Sequence, residues 1–403
     1  MPTEVSVLCP QHKDLNYLGH HKLQEVFSGD EFNKIEFLTL SPEIKDPFVL
    51  VISPSSPPWE QTNPLRLLTD LEIQLVNKCG FVLINYLSEG YFSQREFKTF
   101  DGLFSWIQDS PISSDKIFYA NTDVNLLTTF KKWESQCTAP ATLNVLQSNI
   151  SIWEMRMAIL LEELQIPPWD PNGQFSFYFL NFKPKFERLS LGALLLEQNL
   201  LDKAICSFVK SPHEESVSWV NYTNRHAFSE QFLSELEPKV LEFSKKLPIV
   251  FDVKGDMGSR SLSFNAKTEP QCVGYCSFGL VCESEINEWG IGVSEKTLRS
   301  LCIGPPVLFY NTVGAIEATK KLGYVTFGAF FDESYDAIVD PGERMYRLIE
   351  LVKEAASRDL SFWKKKTDIL QEIQVHNLQN AKRRLANCRC EFFNIFSTII
   401  KNN

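Results

Sequence analysis

Short apolar runs of strand length alternate along this chain with amphipathic stretches of helical length. DPFVLVISP (46–54) reads as a strand entering a Ser/Pro loop, and NPLRLLTDLEIQLVNKC (63–79) as a helix closed by Gly80. FVLINYL (81–87) is a second buried strand, 96–109 a helix, DKIFYAN (115–121) a strand and LLTTFKKWESQ (126–136) a helix. Pro and Gly in PPWDPNG (167–173) rule out a continuing element, and the alternation then restarts. FSFYFLNF (175–182) and KAICSFV (203–209) read as strands around a strongly apolar helix over 188–201, and a helical stretch follows over 227–246. FGLVC (278–282) and PPVLF (305–309) flank a short helix at the spacing of a βαβ unit; VGAIEATKKLG (313–323) predicts a helix and YVTFGAF (324–330) a last strand. Asp340-Pro341-Gly342-Glu343 makes a capping box with Pro at the first helical position, and helices run from there nearly to the C-terminus. Residues 1–45 and 254–270 carry no assignable pattern.

Apolar strands separated by amphipathic helices imply parallel sheets covered on both faces. The expected architecture is two doubly wound α/β domains, 1–170 and 171–340, followed by a C-terminal helical segment, 341–403. A length of 403 residues agrees, since it exceeds one ordinary core. The Gly-rich dinucleotide fingerprint and the P-loop are absent from the sequence, which turns the reading away from hydride transfer and NTP hydrolysis.

Composition narrows this further. With 44% apolar and 22% charged residues the chain has the make-up of a soluble globular protein, and no run approaches the length of a membrane span. The N-terminus, MPTEVSVLCPQHKD, has no basic region followed by an apolar one, so a cytoplasmic location is expected, the host cytoplasm if the protein is viral. Ten cysteines and six histidines fall at no zinc spacing, so free thiols in a reducing compartment and no metal are expected. The net charge is −10, yet residues 364–401 hold eight basic groups (Lys364, Lys365, Lys366, Lys382, Arg383, Arg384, Arg389, Lys401) against Asp368, Glu372 and Glu391. Such a run reads as a solvated helix face or as a contact for a polyanion.

The candidate chemistry lies in LVCESEINEWGIGVSEKTLRSLCIGPPVLF, 280–309. A strand ends in Glu283, and a helix starts at Ser294-Glu295-Lys296. Ser294 is a good N-cap, and the amides and dipole of that helix end favour an anion. A lysine in the first turn is unfavourable to the helix itself, so Lys296 is expected to serve an outside anion such as a phosphate. Glu283 and Glu295 are suited to sugar or ribose hydroxyls.

With these residues the C-terminal half resembles the nucleotide-sugar domain of the alpha-1,3-fucosyltransferases. That family has a strand ending in glutamate, a Ser/Thr-Glu-Lys helix start and a Pro-Val-Val strand, matched here by Glu283, Ser294-Glu295-Lys296 and Pro306-Val307-Leu308. FLNFKPKFERLSL (179–191) is similar to its diphosphate-binding segment, with Asn181, Lys183, Lys185 and Arg188. Ser284 stands where the family has Asn, and Gly292 where it has Tyr, so fucose and guanosine specificity are not carried over. Residues 293–344 also resemble glycosyltransferase-type proteins of phage and large viruses, in which motifs like Ser88-Glu89-Gly90 and Asn121 recur. The resemblance implies a GT-B glycosyltransferase, two Rossmann-like domains facing across a cleft, with a nucleotide-diphosphate sugar as donor substrate and no separate cofactor.

The expected reaction is a metal-independent, inverting transfer to a hydroxyl acceptor. Lys185, Arg188 and Lys296 would hold the diphosphate, with Asn181, Glu283, Ser294 and Glu295 around the donor. The proton-accepting carboxylate is expected from the acceptor-side N-terminal domain, and Glu89 after FVLINYLS or Asp123 after KIFYANT are the candidates. Asp332, Glu333 and Asp336 in FDESYD read as a solvated acidic turn. The phage-type likeness and the basic tail together suggest DNA carrying hydroxymethylated bases as acceptor, with a glycan or small metabolite as the other choices. A catalytically inert nucleotide-sugar-binding protein is the alternative class.

Overall fold

The computed structural model describes residues 5–12, 35–53, 63–86, 96–121, 126–137, 143–147, 169–172, 175–181, 184–208, 225–249, 274, 276–283, 286 and 295–401. The chain forms two compact units. One takes Met1–Ile159, Trp289–Gly292 and Arg383–Asn403, the other Leu160–Glu288 and Val293–Lys382.

The first unit is built on six strands, β1 (Val5–Leu8), β2 (Ile35–Leu38), β3 (Phe48–Ile52), β4 (Gly80–Tyr86), β5 (Ile117–Asn121) and β6 (Asn144–Gln147). They lie in the order β2-β1-β3-β4-β5-β6, every neighbouring pair parallel. β1, β2 and β6 are unforeseen; four residues each give too little length for a period to show. Helices α1 (Asp70–Cys79), α2 (Glu96–Gln108) and α3 (Leu126–Glu134) accompany the sheet. The expected helix over 63–79 is interrupted. Pro64–Leu67 make a single 3₁₀ turn, and Thr69 then caps α1 in a reciprocal box with Glu72. Glu72 is fully buried and also accepts from the Gln11 amide at 2.9 Å, so the box ties α1 to the end of β1. Aromatic rings fill the space between α2, α3 and the sheet, with Phe100 5.3 Å from Phe130 and 5.4 Å from Trp133. At the carboxyl edge stands a row of buried polar side chains, Ser53, Asn85 and Asn121, in which the Asn85 amide donates to Ser53 Oγ at 3.3 Å.

The second unit has four strands, β7 (Phe177–Asn181), β8 (Ala204–Phe208), β9 (Phe278–Cys282) and β10 (Val307–Tyr310), in the order β10-β9-β7-β8 and again all parallel. Its helices are α4 (Phe186–Glu197), α5 (Glu230–Ser244), α6 (Glu295–Cys302), α7 (Ala315–Lys321), α8 (Pro341–Ser357), α9 (Leu360–Lys364) and α10 (Thr367–Lys401), the last continuing into the first unit from Arg383. The strand that comes first in the chain lies inside the sheet, between β8 and β9, as β1 lies between β2 and β3. The chain therefore adds β8 on one side of β7 and then crosses over to add β9 and β10 on the other, a reversal of strand order that in open α/β sheets marks a crevice at the carboxyl ends, here of β7 and β9. Gly279 makes the β7–β9 approach possible: a Cβ there would come within 2.4 Å of the Tyr178 ring. Phe177 stacks on Phe278 at 5.1 Å and Phe278 on Trp363 at 5.7 Å, so α9 closes the base of this core.

Residues 324–330 do not form the expected strand. The apolar side chains Tyr324, Phe327 and Phe330 are buried, as the pattern required, but no strand among the described residues lies alongside. A side chain takes the strand's place: the Asn377 carboxamide of α10 accepts from Val325 N and donates to Val325 O, both at 2.8 Å. It also donates to Leu301 O at 2.9 Å. No described helix is long and apolar enough to cross a membrane.

Asn377→Leu fills the same space while stranding the amide and carbonyl of Val325 and the carbonyl of Leu301. A loss of about 2–4 kcal/mol is expected, from one to three kcal/mol for each buried group left unmade with partial relaxation. Chemical denaturation followed by tryptophan fluorescence of the second unit measures it.

Candidate functional site

Helix α4 determines the character of the crevice. Its sequence, FERLSLGALLLE, is apolar on every face, and the ten residues from Phe186 to Leu195 are all buried. A helix sunk this deeply carries the polar residues of its first turn inside with it. Glu187 is fully buried and Arg188 is 5% exposed. Lys185, half-buried, is the N-cap residue, and its own side chain does not cap this helix end. Asn181, the last residue of β7, is buried four residues before it, and its amide nitrogen meets no hydrogen-bond partner among the described residues.

The next strand–helix junction is closed by the chain itself. Glu283 follows β9, and its amide donates to Tyr310 O at 2.9 Å, which extends the β9–β10 ladder by one bond. Its buried carboxylate turns to the start of α6. Oε1 accepts from the amide of Thr297 at 3.2 Å and from the Thr297 hydroxyl, and Oε2 lies 3.4 Å from Lys296 Nζ. Glu283 thus supplies from a distance the acceptor that a helix N-terminus needs. The carboxylate side chain is 2% exposed and that of Lys296 is 32% exposed, so the ammonium keeps a solvent-facing side.

The third junction is closed in the same way. Gly314, in the left-handed conformation with φ 75°, starts α7, and Asp336 accepts from the amides of Ile316 at 3.1 Å and Glu317 at 3.2 Å. FDESYD is therefore no solvated acidic turn throughout. Asp336 is buried, and Glu333 binds Lys320 and the Thr326 hydroxyl, both at 2.9 Å. Only Asp332 fits the expectation, exposed and paired with Arg347 at 3.2 Å.

These groups share one electrostatic neighbourhood. Burial pushes the Cys282 thiol far above its usual pKa; the carboxylates of Glu187 and Glu283 add to the rise, and Arg188 and Lys185 oppose it. The Tyr310 hydroxyl is also raised by burial, opposed by Arg344 and reinforced by Glu187. Cys282 and Tyr310 end β9 and β10, so the first turn of α4 acts on the carboxyl ends of both strands.

The structure thus gathers Asn181, Lys185, Arg188, Glu283 and Lys296 at one sheet edge. Glu89, Asp123, Lys183 and Ser294 lie outside the described residues, and Glu295 is described only as the first residue of α6. Three participants escaped the sequence reading. Thr297 looked like a routine helix residue; Glu187 was hidden beside Arg188, although two adjacent charges opening an otherwise apolar helix were the available signal. Arg344 is the third, buried with donors to the carbonyls of Ile338, Val339 and Ile286 and lying 5.8 Å over the Tyr310 ring. In the basic tail, Lys364, Lys365, Lys382, Arg383 and Lys401 are exposed. Lys366 instead donates to Ala329 O and sits 5.1 Å over the Phe362 ring. Among the described residues no three His, Cys, Asp or Glu side chains come together as metal ligands.

Glu283→Ala should destabilise the second unit by about 3 kcal/mol, since it leaves Thr297 and Lys296 facing an empty acceptor position. Lys296→Ala should cost about 1 kcal/mol or less, because that partner is part-exposed and Thr297 still holds the carboxylate. Urea melts of the two variants check the order.

The chain matches no protein-family model, no curated protein and no solved structure.

Proposed function

We propose that this protein is a glycosyltransferase that takes its sugar from a nucleotide-diphosphate sugar. The observation that carries the reading is the carboxyl edge at the β7/β9 switch point. There Lys185 stands at the N-cap of α4 without capping it and Arg188 in its first turn, at the same sheet edge as the Glu283–Lys296 pair. Open α/β sheets take ligands at such an edge, and a helix N-terminus flanked by cations takes a phosphate.

The chemistry suits the groups. As the glycosidic bond to the diphosphate breaks, positive charge grows on the anomeric carbon and negative charge on the leaving phosphate. The α4 amides and Arg188 are fixed by burial and meet that negative charge without reorganising, and half-buried Lys185 joins them at the N-cap. Lys296, already held by Glu283, turns its exposed side to the same anion. The acceptor hydroxyl must lose a proton as it attacks, and Glu89 or Asp123, which follow β4 and β5 in sequence, are the carboxylates assigned to take it. DNA is the acceptor suggested by the exposed lysines and arginine of α9 and α10.

Nucleoside diphosphates should raise the melting temperature, with about 2.7 kcal/mol of added stability at a hundred times Kd. Incubation with a panel of nucleotide sugars should release free nucleotide slowly, and Lys185→Ala or Lys296→Ala should weaken donor binding by roughly 10- to 100-fold, the loss of one charge-assisted hydrogen bond. A panel that neither stabilises the protein nor is turned over would overturn the reading. Neutralising Lys364, Lys365, Lys382 and Arg383 should weaken DNA binding and flatten its dependence on salt; unchanged salt dependence would remove DNA as the acceptor.

A further inference from the structure

Glu187 stands apart from the other buried acids of this protein. Glu72 accepts from Thr69 and Gln11, Glu283 from Thr297 and Lys296, and Asp336 from Ile316 and Glu317. Glu187 is as deeply buried, at 0% exposure, and neither of its carboxylate oxygens meets a hydrogen-bond donor among the described residues. A carboxylate removed from water and left unpaired is among the least favourable groups a fold can retain. A shape-matched apolar residue would serve α4 better, so packing alone does not account for it.

Its position does. Glu187 lies in the first turn of α4, the helix that follows β7, at the sheet edge where the chain order reverses. Burial raises the Cys282 thiol and the Tyr310 hydroxyl, and the nearby Glu187 carboxylate adds to both rises, so it belongs to the same neighbourhood as the ends of β9 and β10. Asn181, at the end of β7, holds a second unmet group, the amide donor Nδ2. An acceptor-only carboxylate cannot itself hold a phosphate, which is left to the amides and cations of this helix end, and it offers nothing to an apolar group. Together with an amide donor it matches hydroxyls, each of which donates to the carboxylate and has lone pairs left for the amide.

We infer that Glu187 and the Asn181 amide form a buried hydroxyl-binding subsite that takes a vicinal diol of the ligand whose phosphate lies at the α4 N-terminus. The phosphate half of this statement rests on the nucleotide-sugar reading; the diol half does not. A ribose and a transferred sugar both carry such a diol.

The test measures binding of four kinds of probe to the wild-type chain and to Glu187→Gln. They are the common ribonucleoside diphosphates, their 2′,3′-dideoxy counterparts, the matching nucleotide sugars and ribose 5-phosphate. Wild type should prefer the ribo over the dideoxy form by roughly 10- to 100-fold, the value of a hydrogen bond to a charged group, and Glu187→Gln should erase that preference. A preference erased only between nucleotide sugar and nucleoside diphosphate assigns the diol to the transferred sugar. In the absence of ligand Glu187→Gln should melt at the wild-type temperature or about 2–4 °C above it, since the variant removes an unpaired buried charge. Equal affinities for ribo and dideoxy probes together with unchanged nucleotide-sugar binding in Glu187→Gln would overturn the subsite and leave the nucleotide-sugar reading standing. A lowered melting temperature in Glu187→Gln would overturn the subsite too, because it would show the carboxylate to be structural. Glu187-dependent binding of ribose 5-phosphate without any nucleotide binding would keep the subsite and remove that reading. Binding of no probe by wild type would remove both.

Discussion

Three helices begin at the carboxyl edge of the second sheet, and each brings amide groups that its own turns do not satisfy. A sheet covered on both faces cannot leave such groups to bulk water, so something must meet them at every junction. At α6 it is the Glu283 carboxylate, and at α7 it is Asp336. At α4 the N-cap residue, Lys185, does not do so, and no carboxylate among the described residues takes that role. The rest of the edge is arranged around this difference: two junctions are neutralised by the chain's own acids, and the third is surrounded by Lys185, Arg188 and the unmet groups of Asn181 and Glu187.

The opposite ends of these helices are handled by complementary chemistry. Carbonyls that the last turns leave over are met by a stripe of side chains on α10. Gln374 donates to Gly304 O at 2.6 Å, Asn377 to Leu301 O at 2.9 Å and Asn380 to Leu322 O at 3.1 Å, with His376 Nε2 3.0 Å from Gly323 O. Residues 374, 377 and 380 are one helical turn apart, so one face of one helix finishes α6, α7 and the segment that would otherwise have been a strand. Carboxylates serve the amide ends and carboxamides the carbonyl ends. Pulling α10 away would therefore expose several backbone groups together, and it couples the last helix to the edge that carries the candidate site.

Burying Glu187 and Arg188 costs stability, and the aromatic core below offsets it. Phe177, Phe278 and Trp363 stack in sequence, with Phe331 5.9 Å from Phe278. This layer packs the starts of β7 and β9, at the opposite end of each strand from the candidate site. Unsatisfied polar groups held rigidly at a sheet edge are the usual cost of a preorganised binding site.

Much of this was legible in the order of residues. The strands β3, β4, β5, β7, β8, β9 and β10 are apolar runs bounded by turns, and most of the helices stand near where amphipathic periods put them, because burial on both faces requires such runs. Glu283 and Lys296 could also be selected as a pair at one edge, since both sit at a strand–helix junction. Three things were decided only by the tertiary structure. Strands of four residues, β1, β2 and β6, are too short to carry a period and exist because a neighbouring strand pairs with them. YVTFGAF has the composition of a strand, yet Asn377, more than fifty residues away on another element, meets the backbone groups that a strand would have shared. Whether a charge is partnered is likewise invisible in sequence: Glu187, Glu283 and Asp336 are alike as letters, and only their surroundings give two of them donors and leave the third without one. Local residues specify where helices and strands can form; which polar groups remain unmet is a property of the whole packed edge.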